Sequence, residues 1–101
     1  MTEAAGRLFV REMGYSVDEF ERAFPLAMRD FRLDRRVDGW SVSTVEGEFV
    51  AEVKVNPGPS RHIGALALPV LMVLVDLARA DPGHVKLFMH RFDTGLHRGG
   101  G

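Results

Sequence analysis

Residues 63–77 read "IGALALPVLMVLVDL", and this stretch decides the fold. Residues 63–75 carry no charged side chain, and Pro69 divides them. A helix that crosses a bilayer needs about 20 apolar residues, so no transmembrane segment is predicted here. The Val-rich part after Pro69 predicts a β-strand that is apolar on both faces, and a helix over 69–80 is the alternative.

The sequence before this stretch predicts a β-hairpin. "WSVSTV" at 40–45 alternates, Glu46 and Gly47 give a turn signal, and "EFVAEVKV" at 48–55 alternates again. In the second run Glu52 and Lys54 fall on one side, and the apolar residues on the other are Phe49, Ala51, Val53 and Val55. One face of the hairpin is therefore expected to be exposed to solvent. Together with the strand after Pro69, the hairpin predicts a β-meander over 40–77.

Two helices are predicted before the hairpin. "SVDE" is a capping box formed by Ser16 and Glu19, and Tyr15 is placed to pack on Phe20. The apolar stripe of this helix comprises Val17, Phe20, Phe24, Ala27 or Met28, and Phe31, and Pro25 predicts a kink or a division into two short helices. The segment at 2–14, "TEAAGRLFVREMG", predicts an earlier helix with Ala5, Leu8, Phe9 and Met13 on one side and Gly14 after its end.

A terminal helix is predicted over 81–97. Asp81 is its cap, Pro82 its first residue, and its apolar stripe comprises Val85, Phe88, Met89, Phe92 and Leu96. The fold class that follows is α+β: a small antiparallel β-meander of three or more strands, with N-terminal helices and a C-terminal helix packed on one face. We expect one domain over 1–101, with a helical part at 1–36 and a flexible tail at 98–101.

Composition limits the function. The 101 residues carry a formal charge of −1, and 46% of them are hydrophobic. This balance argues against nucleic-acid binding, which usually brings a basic excess. Cysteine is absent, so disulfides and thiolate chemistry are excluded. Neither a catalytic triad with its nucleophile elbow nor a phosphate-binding loop is present, so we predict no enzyme and no cofactor. Without a secretory leader pattern, the expected location is the cytoplasm.

The strand after Pro69 raises the question of what covers it. Its two faces are the row Val70, Met72, Leu74 and the row Leu71, Val73, Val75. Helices on one side of a sheet cover only one row, and the other would leave an apolar patch of several hundred Å². Three covers are open: the first helix, a second copy or different protein, or a hydrophobic small molecule.

The predicted function follows from that uncovered row. It is a small accessory domain without catalysis that self-associates or docks a protein partner through its apolar sheet face, with Val70, Leu71, Met72, Val73, Leu74 and Val75 as interface candidates. The alternative is a binding protein for a small apolar ligand. Neither membrane insertion nor a nucleic-acid partner is expected. A charge at Met72 or Val73 would break the assembly if the residue lies at the seam, and unfold the domain if it lies under a helix.

The terminal helix carries three residues that are candidate ligands for a metal ion. At 100° per residue, Lys86, His90, Asp93 and His97 fall within one arc, opposite the apolar stripe. Two imidazoles and a carboxylate are ligands for a divalent transition metal. A solvated helix face is the competing interpretation, and we predict no metal, with His90, Asp93 and His97 as the candidate ligands.

The chain ends in "RGGG", residues 98–101. Gly99, Gly100 and Gly101 resemble the Gly-Gly terminus of the ubiquitin-like sulfur carriers and modifiers, and the resemblance implies a tail that enters an activating enzyme. In that class the tail leaves a strand of a β-grasp sheet. Here a helix is predicted to lead directly into the glycines, so a frayed C-terminus is the other interpretation.

Overall fold

A computed structural model describes residues 8–96 of the chain. The elements are β1 (Leu8–Met13), α1 (Val17–Ala27), β2 (Arg32–Arg36), β3 (Gly39–Ser43), β4 (Phe49–Pro57), β5 (Arg61–Ile63), β6 (Leu66–Leu68), β7 (Leu71–Asp76) and α2 (Pro82–Gly95). Five strands form an antiparallel sheet in the order β1-β7-β4-β3-β2, and β5 pairs with β6 as a separate hairpin. The α+β class, with a meander and a C-terminal helix, is confirmed.

Both helices pack on the same face of the sheet. The Phe24 ring of α1 lies 4.6 Å from the Trp40 ring of β3, and the Phe92 ring of α2 lies 6.1 Å from the Phe9 ring of β1. Between the helices and the sheet the core is almost entirely aliphatic and aromatic, and its fully buried members include Phe20, Phe24, Met28, Val42, Val53, Leu71, Val73, Val75, Phe88 and Phe92. The helices therefore cover one side of the sheet.

Helix α1 begins as the sequence predicts. The Ser16 hydroxyl accepts from the Glu19 backbone N–H at 3.1 Å, and the Glu19 carboxylate accepts from the Ser16 N–H at 3.0 Å. The ring of Tyr15, before the cap, meets Phe20 edge-on at 5.7 Å. The prediction that Pro25 divides this segment is wrong, because one helix runs through Pro25 to Ala27.

Helix α2 also starts at its predicted cap, where the Asp81 carboxylate accepts from the Gly83 N–H at 3.0 Å. Its buried residues include Phe88 and Phe92. Gly95, the last residue of the helix, has no room for a side chain, because a Cβ at that position would lie 2.5 Å from the Cβ of Ala27. The two helices approach each other through this glycine, and any side chain there would push them apart.

The predicted first helix is wrong for residues 8–13, which form the edge strand β1. Its register sets Phe9 opposite Val75 and Met13 opposite Leu71 of β7. A strand that is apolar on both faces is usually central, so it needs hydrogen-bonding neighbours on both sides. β1 supplies the second neighbour. Residues 1–7 lie outside the described part of the chain.

The charged residues 32–36 also form a strand, β2. The prediction that residues 1–36 are helical is therefore wrong here as well as at β1. β2 pairs with β3, and Leu33 turns inward against the core. Arg35 stacks its guanidinium over Trp40 at 4.6 Å and bonds to Glu21 of α1. Charged side chains on an edge strand discourage pairing with other chains, so this edge is protected.

For residues 69–80 the sequence predicts a strand, with a helix as the alternative. The structure shows a strand over Leu71–Asp76. The apolar stretch before Pro69 forms the β5–β6 hairpin, which turns at Gly64 with φ of +60°. The 40–55 hairpin is confirmed, with Ala51, Val53 and Val55 buried and Lys54 exposed, but Phe49, predicted on the same side, is only half-buried and Val50 is buried. A bulge between Val42 and Ser43 shifts its register near the turn.

Candidate functional site

The sheet face opposite the helices, called here the open face, has no helix on it within residues 8–96. The strand register places its residues in rows that run across β1, β7 and β4. These rows are Leu8–Asp76–Glu52, Val10–Leu74–Lys54 and Glu12–Met72–Asn56. Side chains alternate between the faces of a sheet, so all of these residues point away from the core.

Apolar side chains are concentrated on the β1–β7 half of this face. Leu8 is 52% exposed and Val10 57% exposed, and Met72 and Leu74 beside them are half-buried. We call these four residues the apolar strip. The other half of the face is polar and carries both signs of charge, with Arg36 lying 3.7 Å from Glu52.

The β5–β6 hairpin, residues 61–68, is exposed along its whole length. We call it the arm. Its register pairs Arg61 with Leu68 and Ile63 with Leu66, so these four side chains share one face of the hairpin. Ile63 is 60% and Leu66 is 59% exposed, so the arm has an apolar face of its own.

The arm contacts one end of the open face. The guanidinium of Arg61 donates to the carboxylate of Glu12 at 2.9 Å, and Glu12 lies on the open face in the row of Met72. Val70 follows the same alternation as Met72 but is buried, and its carbonyl accepts from the Gly58 N–H at 2.8 Å. The arm and its connection therefore cover the Val70 end of the row and leave Leu8, at the far end, in water.

The predicted interface residues separate into two groups. The row Leu71, Val73, Val75 is fully buried under the helices, so it belongs to the core. Of the other row, Val70 is covered next to the arm, whereas Met72 and Leu74 reach the open face. Any docking surface on this sheet therefore uses Met72 and Leu74 of the six candidates.

Sequence reasoning misses part of the exposed apolar surface. Leu8 and Val10 fall in the segment predicted as a helix, and the arm residues Ile63 and Leu66 fall within one long apolar run whose first half has no predicted structure. The apolar residues on both faces of β7 could have predicted this surface. A strand with two apolar faces is usually central, so it needs a second neighbouring strand as well as a layer that covers its second face. The "LFVREM" segment is rich enough in apolar residues to be that strand.

Of the three candidate metal ligands, Asp93 makes another contact, His90 is exposed and His97 lies outside the described residues. The Asp93 carboxylate accepts from Arg11 at 3.1 Å, and the Arg11 guanidinium lies 5.3 Å from the centres of the Phe9 and Phe92 rings. His90 is exposed. His97 and the glycines at 99–101 lie beyond the described residues, and within 8–96 there is no group of three potential ligand side chains.

A shallow cleft lies between the arm and the end of β1. Its cavity volume is about 120 Å³, and its lining residues are Glu12, Met13, Gly14, Arg61, Leu68, Pro69 and Val70. This is below the roughly 300–1,000 Å³ of small-molecule sites, and the Glu12–Arg61 ion pair occupies part of its wall. The cleft offers little enclosed apolar surface to a ligand.

Comparison of the chain with protein-family models, with curated proteins and with solved structures finds no significant match. Function must therefore be argued from the surface itself. Within the described range the helices are α1 and α2. Neither of them is long and apolar enough to cross a membrane.

Proposed function

We propose that this chain is a non-catalytic protein-interaction domain that self-associates, with a second copy docked on its apolar strip. The observation that supports the proposal most is the exposure of Val10 directly opposite Leu74, with Leu8 diagonally adjacent to Leu74 and Met72 diagonally adjacent to Val10. Isolated exposed apolar residues are ordinary on a protein surface, but a contiguous group on one sheet face is typical of an interaction site.

The charge pattern around the strip favours a second copy as the occupant. The rest of the open face carries Lys54 and Arg36 together with Glu52 and Asp76, so both signs of charge occur on it. A two-fold interface brings the same patch together from both molecules, so each patch must complement itself. A mixed surface can do this, whereas a surface of one sign would repel its copy.

The small-ligand alternative has less support. The apolar strip is a flat sheet surface, and the cleft near Met13 is small and bordered by an ion pair. Ligand sites usually enclose most of the ligand in a concave apolar pocket. Flat apolar surfaces of this kind are better matched by another sheet, which packs face to face at about 10 Å.

We test the proposal with Val10→Glu, a charge at the centre of the strip. We expect the variant to remain folded, because Val10 is 57% exposed, and to raise the dimer dissociation constant roughly hundredfold, because the carboxylate would be buried unpaired in the interface. Sedimentation equilibrium measures the constant, and circular dichroism monitors the fold.

The matched control is Val45→Glu, the same substitution at a valine that is 68% exposed outside the open face. We expect it to leave the dissociation constant unchanged. If Val10→Glu and Val45→Glu behave alike, the apolar strip is not the seam and the proposal is wrong.

A further inference from the structure

We infer that the second copy is recognised through charge, with the acidic row of one open face lying on the basic row of the other. This inference rests on the self-association proposed above and specifies which residues meet across the interface. Two neighbouring rows of the open face carry opposite charges, and the strand register defines both. The acidic row is Leu8–Asp76–Glu52–Ser41–Asp34, and the basic row is Val10–Leu74–Lys54–Gly39–Arg36.

The charged side chains of these rows on β4 and β2 are accessible to a partner. Lys54, Arg36 and Asp34 are exposed, and Glu52 is half-buried. Within the chain Arg36 lies 3.7 Å from Glu52, so side chains of the two rows already reach each other along the surface. Each row therefore presents two charges of one sign beside a row of the opposite sign.

The extent of overlap decides how the second copy is oriented. In aligned packing of two sheets the strand directions stay within about 30° of each other, so a two-fold axis in the interface lies either along the strands or across them. An axis along the strands brings strip onto strip only where β1 and β7 overlap. An axis across the strands lays all five strands on their copies. Stable interfaces bury about 800 Å² on each partner, which favours the larger overlap.

An axis across the strands also brings unlike charges together. When it passes between the acidic and the basic row, each row faces the other row of the second copy. Glu52 then faces the partner's Lys54, and Asp34 faces the partner's Arg36. The symmetry makes each of these contacts twice, and the apolar ends of the rows meet at the same time. The orientation that covers the strip is thus the one that keeps like charges apart.

Asp76 and Arg32 are charged residues of the open face that lie outside this pairing. The Asp76 carboxylate accepts from the Ala78 N–H at 3.0 Å, so its own backbone holds it. Arg32 pairs with Ser43 in a further row on the far side of the acidic row. An axis between that row and the acidic row would carry Val10 beyond the end of the partner's strip, so the strip would stay uncovered.

Exchanging two charges within one chain tests the pairing of the rows. Glu52→Lys and Lys54→Glu each place like charges on facing rows, and we expect each to raise the dimer dissociation constant roughly tenfold at low salt. The double variant restores unlike contacts, so we expect its constant to lie within about threefold of that of the unmodified chain. Sedimentation equilibrium measures the constants, and circular dichroism monitors the fold. If Glu52→Lys does not fold, the exposed pair Asp34 and Arg36 gives the same cycle.

Glu46→Lys is the matched control, because Glu46 is exposed in the turn between β3 and β4. We expect it to leave the dissociation constant unchanged. A double variant that associates as weakly as the single variants overturns the row pairing and leaves the self-association intact. So do single variants that leave unchanged a dimer that Val10→Glu disrupts. An unmodified chain that stays monomeric overturns both proposals.

Discussion

Replacing Val73 with Glu is expected to unfold the domain, whereas the same replacement at the adjacent Met72 is expected to leave it folded and to abolish the dimer. Val73 is fully buried between the sheet and the helices, and Met72 points to the open face. A carboxylate at Val73 would lose its hydration with no partner, at a cost of at least about 4 kcal/mol. That is a large part of the total stability of about 5–15 kcal/mol typical of domains.

At Met72, which is half-buried, the carboxylate keeps access to water in the free monomer. We expect its effect on the free energy of unfolding to be about 2 kcal/mol or less, clearly below that of Val73→Glu. Urea unfolding followed by circular dichroism gives the stability of both variants, and light scattering gives their mass. If Met72→Glu unfolds the domain, or if Val73→Glu is tolerated, the two faces of β7 have been assigned the wrong way round.

Replacing Gly39 with Ala is the second substitution expected to have a large effect. Gly39 begins β3 and lies opposite Lys54. A Cβ at Gly39 would come within 1.8 Å of the Val53 carbonyl oxygen and 3.0 Å of the Lys54 Cα. Both contacts are backbone atoms of the neighbouring strand, which cannot rotate away. The sheet must distort, and we expect a loss of about 3 kcal/mol or more in the free energy of unfolding.

Gly14→Ala is the control for this prediction. A Cβ at Gly14 meets no atom within 4 Å, and its φ is not positive. We expect the variant to match the unmodified chain within about 0.5 kcal/mol, with urea unfolding as the measurement. Equal stabilities for Gly39→Ala and Gly14→Ala would show that β3 and β4 do not approach each other as described.

The sequence predicts correctly those elements whose signals are local. The capping box of Ser16 and Glu19 and the cap at Asp81 with Pro82 each act within a single helical turn, so a short segment contains the whole cause. The alternation around Glu52 and Lys54 identifies the β4 faces for the same reason. These features place the helices and the hairpin without knowledge of the rest of the chain.

The elements that were missed depend on distant partners. β1 pairs with β7, so Val10 lies opposite Leu74, sixty-four residues along the chain (74 − 10), and no local pattern in "LFVREM" specifies that contact. β2 is highly charged and becomes a strand because Leu33 and Arg35 can reach the core and Trp40 while the other side chains face water. Tertiary pairing overrides local propensity in both cases.

The candidate surface could be predicted only in part. The two apolar faces of the strand after Pro69 predict that one row lies on the side away from the helices, and the structure places Met72 and Leu74 there. Its neighbours Leu8 and Val10, and the arm that reaches over its Val70 end, emerge only from the strand register.

The mass of the unmodified chain in solution tests the central claim most directly. Light scattering over a concentration series, on the 101-residue chain of 11.2 kDa, reports whether two copies associate. We predict a mass that approaches twice this value at high concentration and falls toward 11.2 kDa on dilution. A mass that stays at the monomer value up to the highest soluble concentration would contradict the account.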